Sequence, residues 1–117
     1  MRSSSSSVIK WPDAATVDRS FREWARRAAA ARDDVRRVGY FGSYARGDWG
    51  VGSDLDVIII VRAAHLPFER RGVEWDLGEL PVPADVFIYT EDEWAAGAGG
   101  ARLHETLARE GVWVLER

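Results

Sequence analysis

The chain has 117 residues, 16 Lys and Arg against 19 Asp and Glu for a formal net charge of −3, and no cysteine. That length suits one domain with a core of its own, the lack of thiols excludes disulfides and thiolate metal sites, and the acidic balance argues against holding long nucleic acid by bulk charge. The longest apolar run, Val57 to Val61, is far too short to span a bilayer, and MRSSSSSVIKW has no apolar run of signal-peptide length, so we expect a cytoplasmic protein that engages no membrane.

The serine run Ser3 to Ser7 is low in complexity, which predicts a flexible N-terminal segment over residues 1–12 and a folded domain over 13–117. Asp13, after Pro12, suits a helix N-cap. Val17, Phe21, Trp24, Ala28 and Ala31 then recur at steps of three and four, predicting a helix from about Ala14 to Asp34 with one apolar face. Arg19, Arg22, Arg26, Arg27, Arg32, Arg36 and Arg37 crowd the same third of the chain, as a solvated face or as a docking surface for an acidic partner or RNA. Val35 to Phe41 reads as a strand in which Gly39 allows close packing, and Ser43 suits the cap of a short helix. Gly50 and Gly52 mark a loop, and Leu55 to Val61 is the aliphatic run of a strand buried on both faces.

Between Ala63 and Glu79, Pro67, Gly72 and Gly78 break the pattern; a short helix or a strand around Val73 to Leu77 is expected. Ala84 to Tyr89 is a third strand. Thr90 and Glu93 have capping-box spacing and open a helix carrying Trp94. A last helix from Ala101 to Glu110, stopped by Gly111, leads to a short strand from Val112 to Leu115. The fold class is α/β (α+β), a mixed sheet of about four strands covered by helices.

Two features of this order carry chemistry. A strand ending in Gly42-Ser43 and turning into a helix leaves backbone amides free for an anion, and Arg46, one turn on, can reach the same phosphates. The bland alternative is a tight turn with an exposed arginine. Asp54 and Asp56, two apart, project to one side of a strand, and like charges so placed call for a hard cation such as magnesium, or are simply two solvated aspartates at a strand mouth.

Residues 42–56, GSYARGDWGVGSDLD, resemble the signature of the DNA polymerase β-like nucleotidyltransferase superfamily: Gly42-Ser43, Ala45-Arg46-Gly47, then Ser53-Asp54-x-Asp56. Small size and the ending Arg109-Glu110-Gly111 also look like the minimal nucleotidyltransferase family, whose members pair with HEPN-domain proteins in toxin–antitoxin systems. The resemblance implies a nucleotidyltransferase fold and a third carboxylate on a later strand. Asp85 in Ala84 to Ile88 fits that pattern best, with Asp76 as the competitor. It further implies that Asp54, Asp56 and Asp85 are catalytic and hold two magnesium (or manganese) ions, while Gly42, Ser43 and Arg46 bind the phosphates of ATP or another nucleoside triphosphate. The reaction implied is transfer of AMP to a hydroxyl on a HEPN toxin partner. Antibiotic adenylylation, usually found with an extra helical domain, and a non-catalytic binding antitoxin are the alternatives. The sequence leaves the oligomeric state open, a homo-oligomer included.

Of the six tryptophans, Trp24, Trp94 and Trp113 read as packing residues, whereas Trp49, in the glycine-rich loop, either stacks on a base or caps the loop. His65 and His104 are too isolated in sequence for a metal or general-base role.

Overall fold

The computed structural model describes residues 10–117; the expectation for residues 1–9 lies outside the described residues. Helix α1 (Ala14–Ala31) starts where the Asp13 carboxylate accepts the Thr16 amide at 2.9 Å, satisfying one of the free donors of the first turn. It buries Val17, Phe21, Trp24, Ala25 and Ala29. The helix stops three residues earlier than its composition suggests. Arg32 adopts an extended backbone, binds the Asp34 carboxylate with two guanidinium nitrogens, and lies 4.1 Å over the Trp75 ring. Five of the seven arginines crowded there are paired within the chain: Arg22 to Asp18, Arg27 to Glu79, Arg32 to Asp34, Arg36 to Glu91 and Arg37 to Glu116.

Strands β1 (Val35–Phe41), β2 (Leu55–Val61), β3 (Ala84–Thr90) and β4 (Val112–Glu116) form one sheet in the order β3-β2-β1-β4. β1 runs antiparallel to β2 and β4, and β2 runs parallel to β3. β2 is therefore internal, and its alternation explains why nearly every residue in it is apolar. Leu55, Val57, Ile59 and Val61 pack with α1, whereas Ile58 and Ile60 meet Tyr89 and Leu107 on the face covered by α4 (Ala101–Glu110). Each such burial contributes roughly 1.5–3 kcal/mol, which makes this strand the anchor of the domain. Gly39 is needed because Trp113 and the Val112 carbonyl would both lie 2.8 Å from a Cβ at that position.

Of the two elements expected between Ala63 and Glu79, the connection after β2 contains the short helix and not the strand. A 3-10 helix, Phe68–Glu74, follows Pro67, and Arg71 within it is buried. Its guanidinium donates to the Leu66 and Ile88 carbonyls and to both oxygens of Glu93, at 2.6 and 3.0 Å. Glu93 also closes the expected capping box with Thr90 at the start of α3 (Glu91–Ala95). One ion pair thus ties the irregular connection to the sheet and to the next helix. Among the described residues, no helix is long and apolar enough to cross a membrane.

The Arg71 guanidinium, with the Thr90 amide, holds the Glu93 carboxyl down to about 2 from an ordinary 4.5. A carboxylate with a depressed pKa adds stability above its unfolded value, and that stability is lost as pH falls through the folded one. Glu93→Gln should lower stability at pH 7 by about 2 kcal/mol, below the range for fully buried pairs because this side chain is 38% exposed. Denaturant titrations across pH should show that deficit in full above about 4.5 and gone near 2.

Candidate active site

Sheet register brings the candidate carboxylates together. Asp56, second in β2, is flanked by Phe41 of β1 on one side and Asp85 of β3 on the other. Partners in a parallel pair share a face, so Asp56 and Asp85 stand side by side, with Asp54 just before the strand. Leu55 points into the core on the opposite face. Asp54 and Asp85 are exposed and Asp56 is half-buried. Burial, then the charges of Asp85 and Asp54, push the Asp56 carboxyl above the usual range, and Arg46 only partly opposes them. Among the described residues, no three His, Asp or Glu side chains converge on a ready-made metal centre. The three aspartates share one end of the sheet and repel one another there.

The turn after β1 supplies the positive side. Gly42 has φ +83°, and a Cβ there would collide with the Asp56 carboxylate, so glycine is required both by conformation and by space. Helix α2 (Ser43–Arg46) follows at once; its first bonds run from the Ala45 and Arg46 amides to the Gly42 carbonyl, so the Ser43 and Tyr44 amides precede any helical acceptor. Two findings differ from the simple reading of a free anion turn. The Gly42 amide donates to Glu110 Oε2 at 3.2 Å, and Arg46 Nη1 donates to the same oxygen at 3.1 Å. Arg46 Nε meanwhile donates to Asp48 at 3.1 Å. Glu110 is a site-lining residue that sequence reasoning left in the background. Its only signal was its place at the helix end, in Arg109-Glu110-Gly111.

Other candidates lie elsewhere or have other work. Asp76 spends its carboxylate on the Gly78 amide at 2.9 Å, and its carbonyl accepts from Trp24, so it belongs to the turn against α1. Trp49 stacks on Tyr44 with centroids 5.6 Å apart and planes 7° apart, which caps the loop. His65 pairs with Glu74, and His104 stacks on Trp94 while bonding the Ala98 carbonyl. Two clefts of about 280 and 250 Å³ are both lined by Trp75, and none of the three aspartates lines either. The carboxylates and the turn occupy an open sheet end instead.

A family model described as "Nucleotidyltransferase domain" matches residues 22–113, which include both the turn and all three aspartates. The chain belongs to this family. A Methanocaldococcus jannaschii protein named "Putative protein adenylyltransferase MJ0141" is 35% identical over 57 residues, covering 49% of this chain and 58% of that one, so the match spans little more than half the relative's length. A crystal structure described as "a putative nucleotidyltransferase from Sulfolobus solfataricus" superposes with TM-score 0.62 at 18% identity, over 89% of this chain and 84% of that one. A second, described as "the toxin-antitoxin with AMP-PNP", gives TM-score 0.53 at 13% identity, over 82% and 73%. At those identities the two structures show a shared fold: the mixed four-stranded sheet with helices is that of nucleotidyltransferases.

Two stability measurements test this geometry. Gly42→Ala should cost about 1–3 kcal/mol in chemical denaturation, since it combines a strained backbone with a clash against Asp56. Asp56→Asn should do the opposite and raise the melting temperature at pH 7. A carboxyl whose pKa is raised on folding opposes the folded state once ionised, so the gain should be full above the raised folded value, shrink as pH falls from there toward the ordinary 3.8, and be gone below it, where wild type is protonated in both states.

Proposed function

We propose that this nucleotidyltransferase domain transfers AMP from ATP to a hydroxyl on a protein partner, as the antitoxin of a pair with a HEPN-domain toxin. The observation that carries the reading is the in-register row of Asp56 and Asp85, with Asp54 beside it and the Gly42-Ser43 turn directly against Asp56. The M. jannaschii relative named for protein adenylylation supports a protein acceptor, and the toxin–antitoxin neighbour supports a toxin partner.

In donor chemistry the set fits magnesium: three carboxylates, oxygen only, with Asp56 opposed in its ionisation first by burial and then by the charges of Asp85 and Asp54. Asp54, Asp56 and Asp85 would hold the ions, two as in the family resemblance, and bound magnesium would supply charge neutralisation on the triphosphate. The chain's own residues do the rest. Asp85, exposed near the start of β3, would accept the proton of the incoming hydroxyl. The hydroxyl oxygen bonds to the α-phosphorus as the bond to the pyrophosphate oxygen breaks. Ser43 and Arg46 meet the charge that develops on that leaving group.

A second reading, a fold retained for binding its partner without transfer, is favoured by two observations: among the described residues the carboxylates form no ready-made metal group of three, and Glu110 already occupies the Gly42 amide. Incubation with α-labelled ATP, magnesium and the product of the adjacent gene separates the two. Label should appear on that protein with wild type and fall at least about 100-fold with Asp56→Asn, whose fold is intact. Undiminished labelling by Asp56→Asn would sink the three-aspartate mechanism, and no label with wild type would favour the binding module.

A further inference from the structure

Arg46 is gripped by two carboxylates of opposite character. Glu110 is the last residue of α4, its side chain is 10% exposed, and its Oε2 accepts from both Arg46 Nη1 and the Gly42 amide. The helix end that carries it is tightly packed, since any side chain at Gly111 would strike the Leu107 carbonyl at 2.6 Å. Asp48 lies in the loop after α2, is 62% exposed, and meets only Arg46 Nε. A guanidinium offers two edges able to grip an oxyanion with two parallel bonds, Nη1–Nη2 and Nε–Nη2. Glu110 takes Nη1, and Asp48 sits on the Nε–Nη2 edge.

We propose that Glu110 is a positioning residue that locks the Gly42 turn and aims the Nε–Nη2 edge of Arg46 at the nucleotide's phosphates, while Asp48 marks the place a phosphate takes when it displaces that carboxylate. An exposed ion pair contributes little and exchanges freely, so Asp48 is readily replaced by a doubly charged phosphate. Glu110 is nearly withdrawn from water and satisfies a backbone N–H and a guanidinium with one oxygen, so releasing it would cost the Gly42 amide that partner and leave a sheltered carboxylate without its counter-charge. The inference rests on the nucleotide reading of this turn.

Simple charge repulsion and positioning predict different signs, which makes the idea testable. If the carboxylates acted only by repelling phosphate, removing either would tighten ATP binding. Calorimetric titration with ATP and magnesium should instead show Asp48→Asn binding about 2- to 5-fold tighter and Glu110→Ala about 10-fold weaker, the scale of one exposed and one buried charge-assisted bond. Glu110→Gln, whose amide oxygen still accepts from both donors, should fall between wild type and Glu110→Ala, and it carries the test if the alanine variant melts early. The Glu110→Ala loss should also be smaller when introduced into Arg46→Ala. Tighter ATP binding by both Glu110 variants, or an equal loss with and without Arg46, overturns the positioning role. A wild-type chain that binds no ATP would instead remove the nucleotide reading, and this inference with it.

Discussion

Strand β2 is bonded on both edges and packed on both faces, and the site depends on that fourfold restraint. Its aliphatic residues leave no freedom of register, because a shift of one position would turn Ile58 and Ile60 into the face of α1 and bring charge into the core. With β2 fixed, Asp56 has a single position between Phe41 and Asp85. The glycine at the end of β1 must then lie against its carboxylate. The polar row is placed by apolar residues that take no part in chemistry.

Around that row the molecule accumulates charge that its fold does not need. Three aspartates share one sheet end, one of them half-buried and with its ionisation opposed by the other two. Next to them an arginine carries two carboxylate partners. Other charges meet partners of opposite sign, as in the Arg71–Glu93 pair that stabilises the connection to α3. The contrast between the two ion-pair systems is physical: one closes upon itself, and the other leaves a surplus of negative charge facing solvent. Such locally unfavourable electrostatics cluster where a protein works.

Much of this was legible from residue order. The alternation of β2, the Asp13 cap, the Thr90–Glu93 capping box and the limits of α4 are local properties, and local patterns predict them. The adjacency of Asp56 and Asp85 followed from a family resemblance, and the parallel register gives it a structural cause. What sequence reading missed depends on contacts distant along the chain. Arg71 reads as an ordinary surface arginine until Ile88 and Glu93 are brought to it. At the early end of α1, Arg32 packs over Trp75, more than forty residues on. Glu110 has no local feature that marks it, because its partners lie on the turn after β1.

The contact between Gly42 and Glu110 joins residues 68 positions apart. The turn and Asp56 of β2 are made before the carboxylate that holds the turn and before the strand β4 that closes the sheet beyond it. A nascent chain thus carries the acidic row before it carries the clasp that orders the neighbouring turn. The fully assembled site belongs only to a chain in which α4 and β4 are free to dock. Any cleavage or fusion that holds α4 away from the sheet acts on a turn far away in sequence, while leaving the turn's own residues untouched.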